Sequence, residues 1–263
     1  MGCIMIYASD SETSQKTRSL LTTKLENVGF TIVHDLSDRP ELLVCIGGDG
    51  TFLEAIHAMD FPQIPFLGIN TGHLGFFQEL EPGGIDEFLY NYTQGKYSIQ
   101  TLSTVQAVVR CGEKEEILKA LNEMYVTGDT TKVSHMNLFI GDSFVERFSG
   151  DGILVSSPSG STAYNYALGG SIVDPRVRVL QVTPIAPMNT TAYRSFTSSI
   201  LLPPDLSVGV VPEGDRPIRV SFDGYFREYN HVDEVRITYA DTHLKLLRFQ
   251  QYDFWNKVKS KLL

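Results

Sequence analysis

A chain of 263 residues, 42% hydrophobic and 20% charged, has the composition of an ordinary folded protein and enough length for two modest domains or one large one. Its formal net charge of −9, with no basic cluster to offset it, weighs against a nucleic-acid backbone or an anionic membrane as partner. The three cysteines Cys3, Cys45 and Cys111 are far apart and odd in number, so neither a disulfide framework nor a metal cluster is expected. They read as core thiols of a cytoplasmic protein. No apolar run approaches the roughly 18 residues of a membrane span, and the N-terminus lacks the basic start and long apolar core of a signal peptide. Met1-Gly2-Cys3 does not continue as a myristoylation site, because Ile6 stands where Ser or Thr is favoured.

In chain order, residues 3–7 read as a first strand, followed by Ser9, Asp10 and Ser11, any of which can cap a helix. Leu21, Leu25 and Val28 recur at helical spacing, and Gly29 closes that helix. Residues 30–34 and 42–46 are predicted strands, as are 64–68, and Ile85, Phe88, Leu89 and Tyr92 mark another helix. This alternation predicts a Rossmann-like parallel sheet with ligands at the carboxyl ends of its strands. Beyond residue 100, runs such as Val105-Ala107-Val109, Ile218-Val220-Phe222 and Val235-Ile237-Tyr239 alternate with polar neighbours, predicting an antiparallel β-sandwich. Phe254, Val258 and Leu262, interleaved with Lys257, Lys259 and Lys261, predict a C-terminal helix. The expected organisation is therefore an α/β domain over 1–100 and an all-β domain over 101–263, of which about 245–263 returns to the first.

The most informative stretch is Leu42 to Ile46 running into Gly47-Gly48-Asp49-Gly50-Thr51. A continuously apolar strand ends in a glycine turn, and Phe52, Ile56 and Met59 then recur at helical spacing. Such a turn presents free N–H groups and the positive end of a helix dipole, which is a phosphate site. Asp49 places one carboxylate where negative charge is meant to bind, which points to proton abstraction or metal contact. The bland alternative is that Asp49 merely caps the helix. The turn is neither a Walker A loop nor the spaced glycine fingerprint of dinucleotide folds.

A second stretch, Asp151-Gly152-Ile153-Leu154-Val155-Ser156-Ser157-Pro158-Ser159-Gly160-Ser161-Thr162-Ala163-Tyr164-Asn165, runs from a buried strand into a loop dense in hydroxyls and glycine. It offers small hydrogen-bonding groups beside one aromatic face, suited to a ribose, an amide or a base; a ligand-free hairpin loop has the same composition. Tyr164 is either a stacking surface or a core aromatic. No spacing of His, Cys or carboxylates matches a zinc site.

Gly47 to Thr51 resembles the signature shared by NAD kinases and the diacylglycerol and sphingosine kinases, and more loosely that of phosphofructokinases. The wording Asp-Gly followed by Ser-Pro-Ser-Gly-Ser-Thr-Ala-Tyr resembles the second signature of NAD kinases, which the lipid kinases are not expected to carry. Leu121-Asn122-Glu123 and Gly68-Ile69-Asn70-Thr71-Gly72-His73-Leu74-Gly75-Phe76 resemble two further motifs in the family's order, and Phe222-Asp223-Gly224 its late Asp-Gly position. The likeness spans nearly the whole chain. Ser149 and Ala186-Pro187-Met188 depart from the family pattern.

The resemblance implies phosphoryl transfer from ATP, or inorganic polyphosphate, to the 2′-hydroxyl of the adenosine ribose of NAD, giving NADP. It implies Asp49 as the catalytic residue and Gly47, Gly48, Gly50 and Thr51 around the donor phosphates. Mg²⁺ or another divalent cation would accompany ATP, with no tightly bound organic cofactor. For NAD it implies Asp49, Gly50, Phe76, Asn122, Glu123, Asp151, Ser159, Thr162, Ala163, Tyr164, Asn165, Ala186 and Asp223. By its residues alone, the glycine-rich loop that holds His73 and Phe76 reads either as a lid over the nucleotide or, for His73, as a surface or hinge position. A homodimer or homotetramer is expected, with NAD and ATP as the small-molecule partners. The rival readings are a lipid kinase, disfavoured by the lack of a basic amphipathic membrane stretch, and a non-catalytic dinucleotide sensor.

Overall fold

The computed structural model describes residues 2–72, 75–128, 132–214, 216–249 and 253–262. The chain divides into two compact units, Met1–Thr101 with His243–Leu263, and Leu102–Thr242.

In the first unit, β1 (Cys3–Ala8), α1 (Glu12–Asn27), β2 (Thr31–Val33), β3 (Leu42–Gly47), α2 (Asp49–Ala58), β4 (Pro65–Asn70), β5 (Gln78–Leu80) and α3 (Ile85–Thr93) follow in order. Strands β2, β1, β3 and β4 pair side by side, all parallel, as the alternation of strands and helices predicts. Of the three candidate caps before α1, Ser11 is the one used, its hydroxyl accepting from the Ser14 amide at 3.2 Å. Leu42, Leu43, Val44 and Ile46 are all 0% exposed, so β3 is buried on both faces. At about 1.5–3 kcal/mol per such side chain, this strand anchors the unit and fixes where its glycine turn emerges. Its core joins β1, β3 and β4 to Leu21 and Leu25 of α1 and Phe88 and Leu89 of α3.

In the second unit come β6 (Ser98–Cys111), whose start lies in the first, β7 (Lys114–Ala120), β8 (Glu123–Thr127), β9 (Ser134–Ile140), β10 (Ser143–Gly150) and β11 (Gly152–Ser156). A short helix α4 (Tyr164–Ala167) follows, then β12 (Leu180–Ile185), β13 (Ile200–Leu202), β14 (Val208–Pro212), β15 (Ile218–Phe222), β16 (Tyr225–Tyr229) and the long β17 (Glu234–Arg248). One sheet contains β10, β9, β14, the first part of β17, β6 and β7, and the other runs β13-β12-β11-β8-β15-β16. Their inward side chains, among them Val105, Leu138, Val210 and Val235 from one and Val126, Val155, Val182 and Val220 from the other, form a single sandwich core.

Lys245 and Leu246, near the end of β17, belong to the first unit and pair in parallel with β4. The C-terminal helix α5 (Phe254–Leu262) also lies in that unit. The cysteines are free; Cys45 is buried, Cys3 and Cys111 half-buried. Burial pushes the Cys45 thiol up, so it behaves as a small apolar residue of β3.

Candidate functional site

The predicted sequence of buried strand, glycine turn and helix is present. Gly48 is the N-cap of α2 and Asp49 its first residue. Asp49 is not the capping residue, however, and the bonds of its carboxylate run elsewhere. It reaches instead to the segment before β5. Oδ2 accepts from the Phe76 amide at 2.9 Å and Oδ1 from the Phe77 amide at 3.1 Å. A third donor comes from α5, where the Lys261 ammonium lies 2.9 Å from Oδ2. A carboxylate has roughly four lone-pair positions, so these three donors among the described residues leave about one, on Oδ1. That oxygen is free to accept from a hydroxyl.

Close packing underlies this geometry. A Cβ on Gly75 would fall 2.3 Å from Asp49 Oδ1 and 1.8 Å from Gln78 Oε1, so only glycine lets the segment approach the carboxylate. The same segment is also held by Lys257, whose ammonium donates to the carbonyls of Phe76, at 3.3 Å, and Gln78. Burial, reinforced by the nearby Arg248 guanidinium, lowers the Lys257 pKa to about 8. Phe76 is buried against Phe254, and its ring lies 4.7 Å below the Lys261 ammonium. His73 and Leu74 lie outside the described residues.

The second unit brings most of the remaining predicted residues together around the turn before β8. Asp223 accepts the amides of Leu121 and Asn122 at 2.6 and 2.8 Å, which fixes that turn. Asn122 and Glu123 are buried, and Asn122 Oδ1 and Glu123 Oε2 have no hydrogen-bond partner among the described residues. Burial, and then the like charge of Asp223, pushes the Glu123 carboxyl up to about 8. At neutral pH it therefore carries its proton and can donate as well as accept.

The hydroxyl-rich loop packs on this turn. Ser157 Oγ donates to the Leu121 carbonyl at 2.6 Å, and the Ser157 amide to that of Asn122 at 2.8 Å. Ser159 and Thr162 lie in a 3-10 turn, with Ala163 at its end. Tyr164 is 39% exposed and meets Tyr125 edge-on at 5.3 Å, so it is not a core aromatic. Burial and then Tyr125, Asp151 and Glu123 push its phenol up.

Asn165, expected as a ligand contact, lies inside the loop. It is 0% exposed, its Oδ1 accepting from Thr183 at 2.7 Å and its Nδ2 donating to the carbonyls of Ser161 and Ser171. Its amide is consumed in holding the loop. Asp151 and Ala186 are exposed, with Ala186 at φ +45°.

Sequence reasoning missed Lys257, Lys261, Gly75 and the Phe76–Phe77 amides. The signal for the lysines was their i, i+4 spacing, which places both on one face of a helix.

Two family models match the chain, the ATP-NAD kinase N-terminal domain over residues 7–97 and the ATP-NAD kinase C-terminal domain over residues 121–249. The chain belongs to the NAD kinase family. It is an enzyme of that family, a phosphotransferase with NAD kinase function. It is 40% identical over 266 residues to the NAD kinase of Finegoldia magna, covering 99% of this chain and 97% of that protein. It is 32% identical to NAD kinase 1 of Oceanobacillus iheyensis, over 98% of this chain and 97% of that one. Among solved structures, yeast NADH kinase complexed with NADH shares the fold with a TM-score of 0.87 at 18% identity, covering 100% of this chain and 87% of that chain. An NAD kinase from Archaeoglobus fulgidus in complex with ATP does so at 0.78 and 22%, covering 99% of each.

Proposed function

We propose that the chain transfers the terminal phosphoryl group of ATP, or of inorganic polyphosphate, to the 2′-hydroxyl of the adenosine ribose of NAD, with Asp49 touching that hydroxyl. The observation that carries this reading is the clamped Asp49 carboxylate, with one lone-pair position left on Oδ1 at the mouth of a phosphate-binding turn. In the transfer, the O2′–P bond forms as the bridging P–O bond of the donor breaks. The hydroxyl proton passes towards Oδ1, and the leaving oxygen carries away the bond pair. Such chemistry depends on position and charge more than on basicity, which suits an aspartate with its orientation fixed.

The backbone of Gly47, Gly48, Gly50 and Thr51 at the start of α2 would hold donor phosphates. Among the described residues no group of three or more His, Cys, Asp or Glu could hold a metal ion. A single carboxylate fits Mg²⁺ that arrives bound to the donor phosphates, as part of the substrate.

In the second unit, Asn122 Oδ1 and the Glu123 carboxyl are the buried groups that gain most from a ligand partner. Asp223 would serve NAD binding by holding their turn. Ser159, Thr162, Ala163 and the exposed ring of Tyr164 would line the adenine and ribose, with Phe76, Asp151 and Ala186 as further contacts and Asn165 supporting the loop. A cytoplasmic homodimer or homotetramer without nucleic-acid or membrane partners completes the reading. It is supported by the charge of −9 and by exposed Phe144, Leu201 and Phe226.

The test is NADP formation by the purified protein with NAD, Mg²⁺ and either ATP or polyphosphate, beside Asp49→Asn. The variant should lose turnover by about 10²-fold or more while retaining NAD affinity. NAD binding without NADP formation from either donor would leave the sensor reading in its place.

A further inference from the structure

The glycine turn lacks a lysine of its own, and Asp49 puts an anion where phosphates are to bind. Cations reach it from the far end of the chain. Lys257 and Lys261, one helical turn apart on α5, bond to the 76–78 segment and to the Asp49 that it clamps. Lys257 takes the carbonyls of Phe76 and Gln78, while the amides of Phe76 and Phe77 take Asp49. Lys261 then closes on Oδ2 itself at 2.9 Å. All of these groups belong to the first unit.

We propose that Lys261 is a positioning residue for the phosphoryl transfer, holding Asp49 by Oδ2 so that Oδ1 is presented to the accepting hydroxyl, and offsetting the carboxylate's charge beside the donor phosphates. The proposal rests on the reading of Asp49 given above. It follows from the distribution of donors. The two amides alone would satisfy both oxygens equally, and the ammonium makes them different. Oδ2 carries two donors and Oδ1 one. An ammonium on a flexible stem can shift as phosphates enter without losing its hold on the aspartate. Its side chain is 34% exposed and that of Asp49 25%, so water can reach the carboxylate when the lysine is truncated and no buried unpaired group is left.

The experiment uses the full chain with NAD and Mg·ATP, and compares Lys261→Ala and Lys261→Arg in the native and Asp49→Asn backgrounds. Lys261→Ala should lower kcat about tenfold, with KM for NAD within about twofold and the unfolding temperature unchanged. Lys261→Arg should restore at least about half of kcat, because it keeps the charge and the reach. In the Asp49→Asn background Lys261→Ala should cause no further loss, since the two residues act as one unit. Unchanged kcat in Lys261→Ala, failure of arginine to rescue, or equal losses in both backgrounds would overturn the proposal. Where Asp49→Asn turnover falls below detection, the division between kcat and KM and the arginine rescue decide. Full turnover in Asp49→Asn alone would instead remove the reading of Asp49 on which the proposal stands.

Discussion

Asp49 and Lys261 are 212 residues apart in sequence and 2.9 Å apart in the structure. The contact joins the first residue of α2 to the last turn of α5, so the carboxylate is held by groups from both ends of the chain. Its orientation depends on three things: the burial of β3, the approach of the Phe76–Phe77 segment, and the docking of a helix that the sequence places last. Each can be disturbed separately, with a different expected result.

Gly75→Ala tests the approach of the segment. The added methyl would lie 2.3 Å from Asp49 Oδ1, on the oxygen with the spare lone pair. One or other must move by several tenths of an ångström, and displacement of a reacting group on the order of 1 Å is worth about 10²-fold in rate. The variant should lose about 10-fold to 10²-fold in kcat, with a destabilisation of only about 1–3 kcal/mol by urea unfolding. A kcat equal to that of the native enzyme would mean that Asp49 need not stay where it is seen.

Gly160→Ala tests the second unit in the same way. A Cβ there would fall 2.1 Å from the Asn122 carbonyl oxygen and 2.4 Å from its carbon, both backbone atoms that cannot swing aside. The Asn122–Glu123 turn must shift or the hydroxyl loop must lift from it. KM for NAD should rise about tenfold or more, with kcat at saturating NAD changed far less, because the disturbed groups bind and do not react. Steady-state kinetics with NAD varied would detect it, and an unchanged KM would remove this turn from the NAD pocket.

The sequence was legible where a pattern has one physical solution. Leu42 to Ile46 could only be a strand buried on both faces, and the glycines after it could only be a turn into α2. The alternation around Val105, Ile218 and Val235 led to the sandwich for the same reason. What stayed illegible depends on approach between distant segments. Nothing local distinguishes Asp49 as a helix cap from Asp49 clamped by the Phe76 and Phe77 amides. Asn165 and Asp223, polar and within motifs, are expected as ligand contacts, and nothing local says how their side chains are held. Only the structure shows their side chains engaged with Thr183 and with the Leu121–Asn122 turn. Lys257 and Lys261 look like an ordinary solvated face until the helix is docked.

Glu123 should make stability depend on pH in a definite direction. Its carboxyl is raised from 4.5 to about 8 by burial and by Asp223. On raising the pH, the unfolded chain releases this proton near its ordinary value while the folded chain keeps it until about pH 8. The folded state therefore binds more protons across that window. This group's contribution is most favourable below 4.5 and is lost progressively as the pH rises towards 8. Glu123→Gln removes the titration. The unfolding free energy of the variant should gain about 3 kcal/mol relative to the native protein between about pH 5 and pH 8. Parallel stability profiles for the two proteins would show that Glu123 is not held in its neutral form.

Arg248 and Glu79 form a buried ion pair at 2.9 Å, with side chains only 5% and 3% exposed. The pair is embedded in further bonds, since Arg248 also donates to Gln100 and Glu79 accepts the Phe249 amide at 2.7 Å. Removing one member leaves an uncompensated charge in a place water does not reach, which costs about 3–5 kcal/mol. Removing both leaves no such charge, and apolar replacements of similar volume are often neutral. Glu79→Met and Arg248→Met should each destabilise by about 3 kcal/mol, and the double variant by markedly less than the sum. Urea unfolding of the four proteins measures this directly. The single variants should also reduce turnover, because Phe249 follows the end of β17 and Glu79 lies in β5 beside Gln78, whose carbonyl Lys257 holds. Additive losses with turnover intact would confine the pair to local packing and separate it from the segment that holds Asp49.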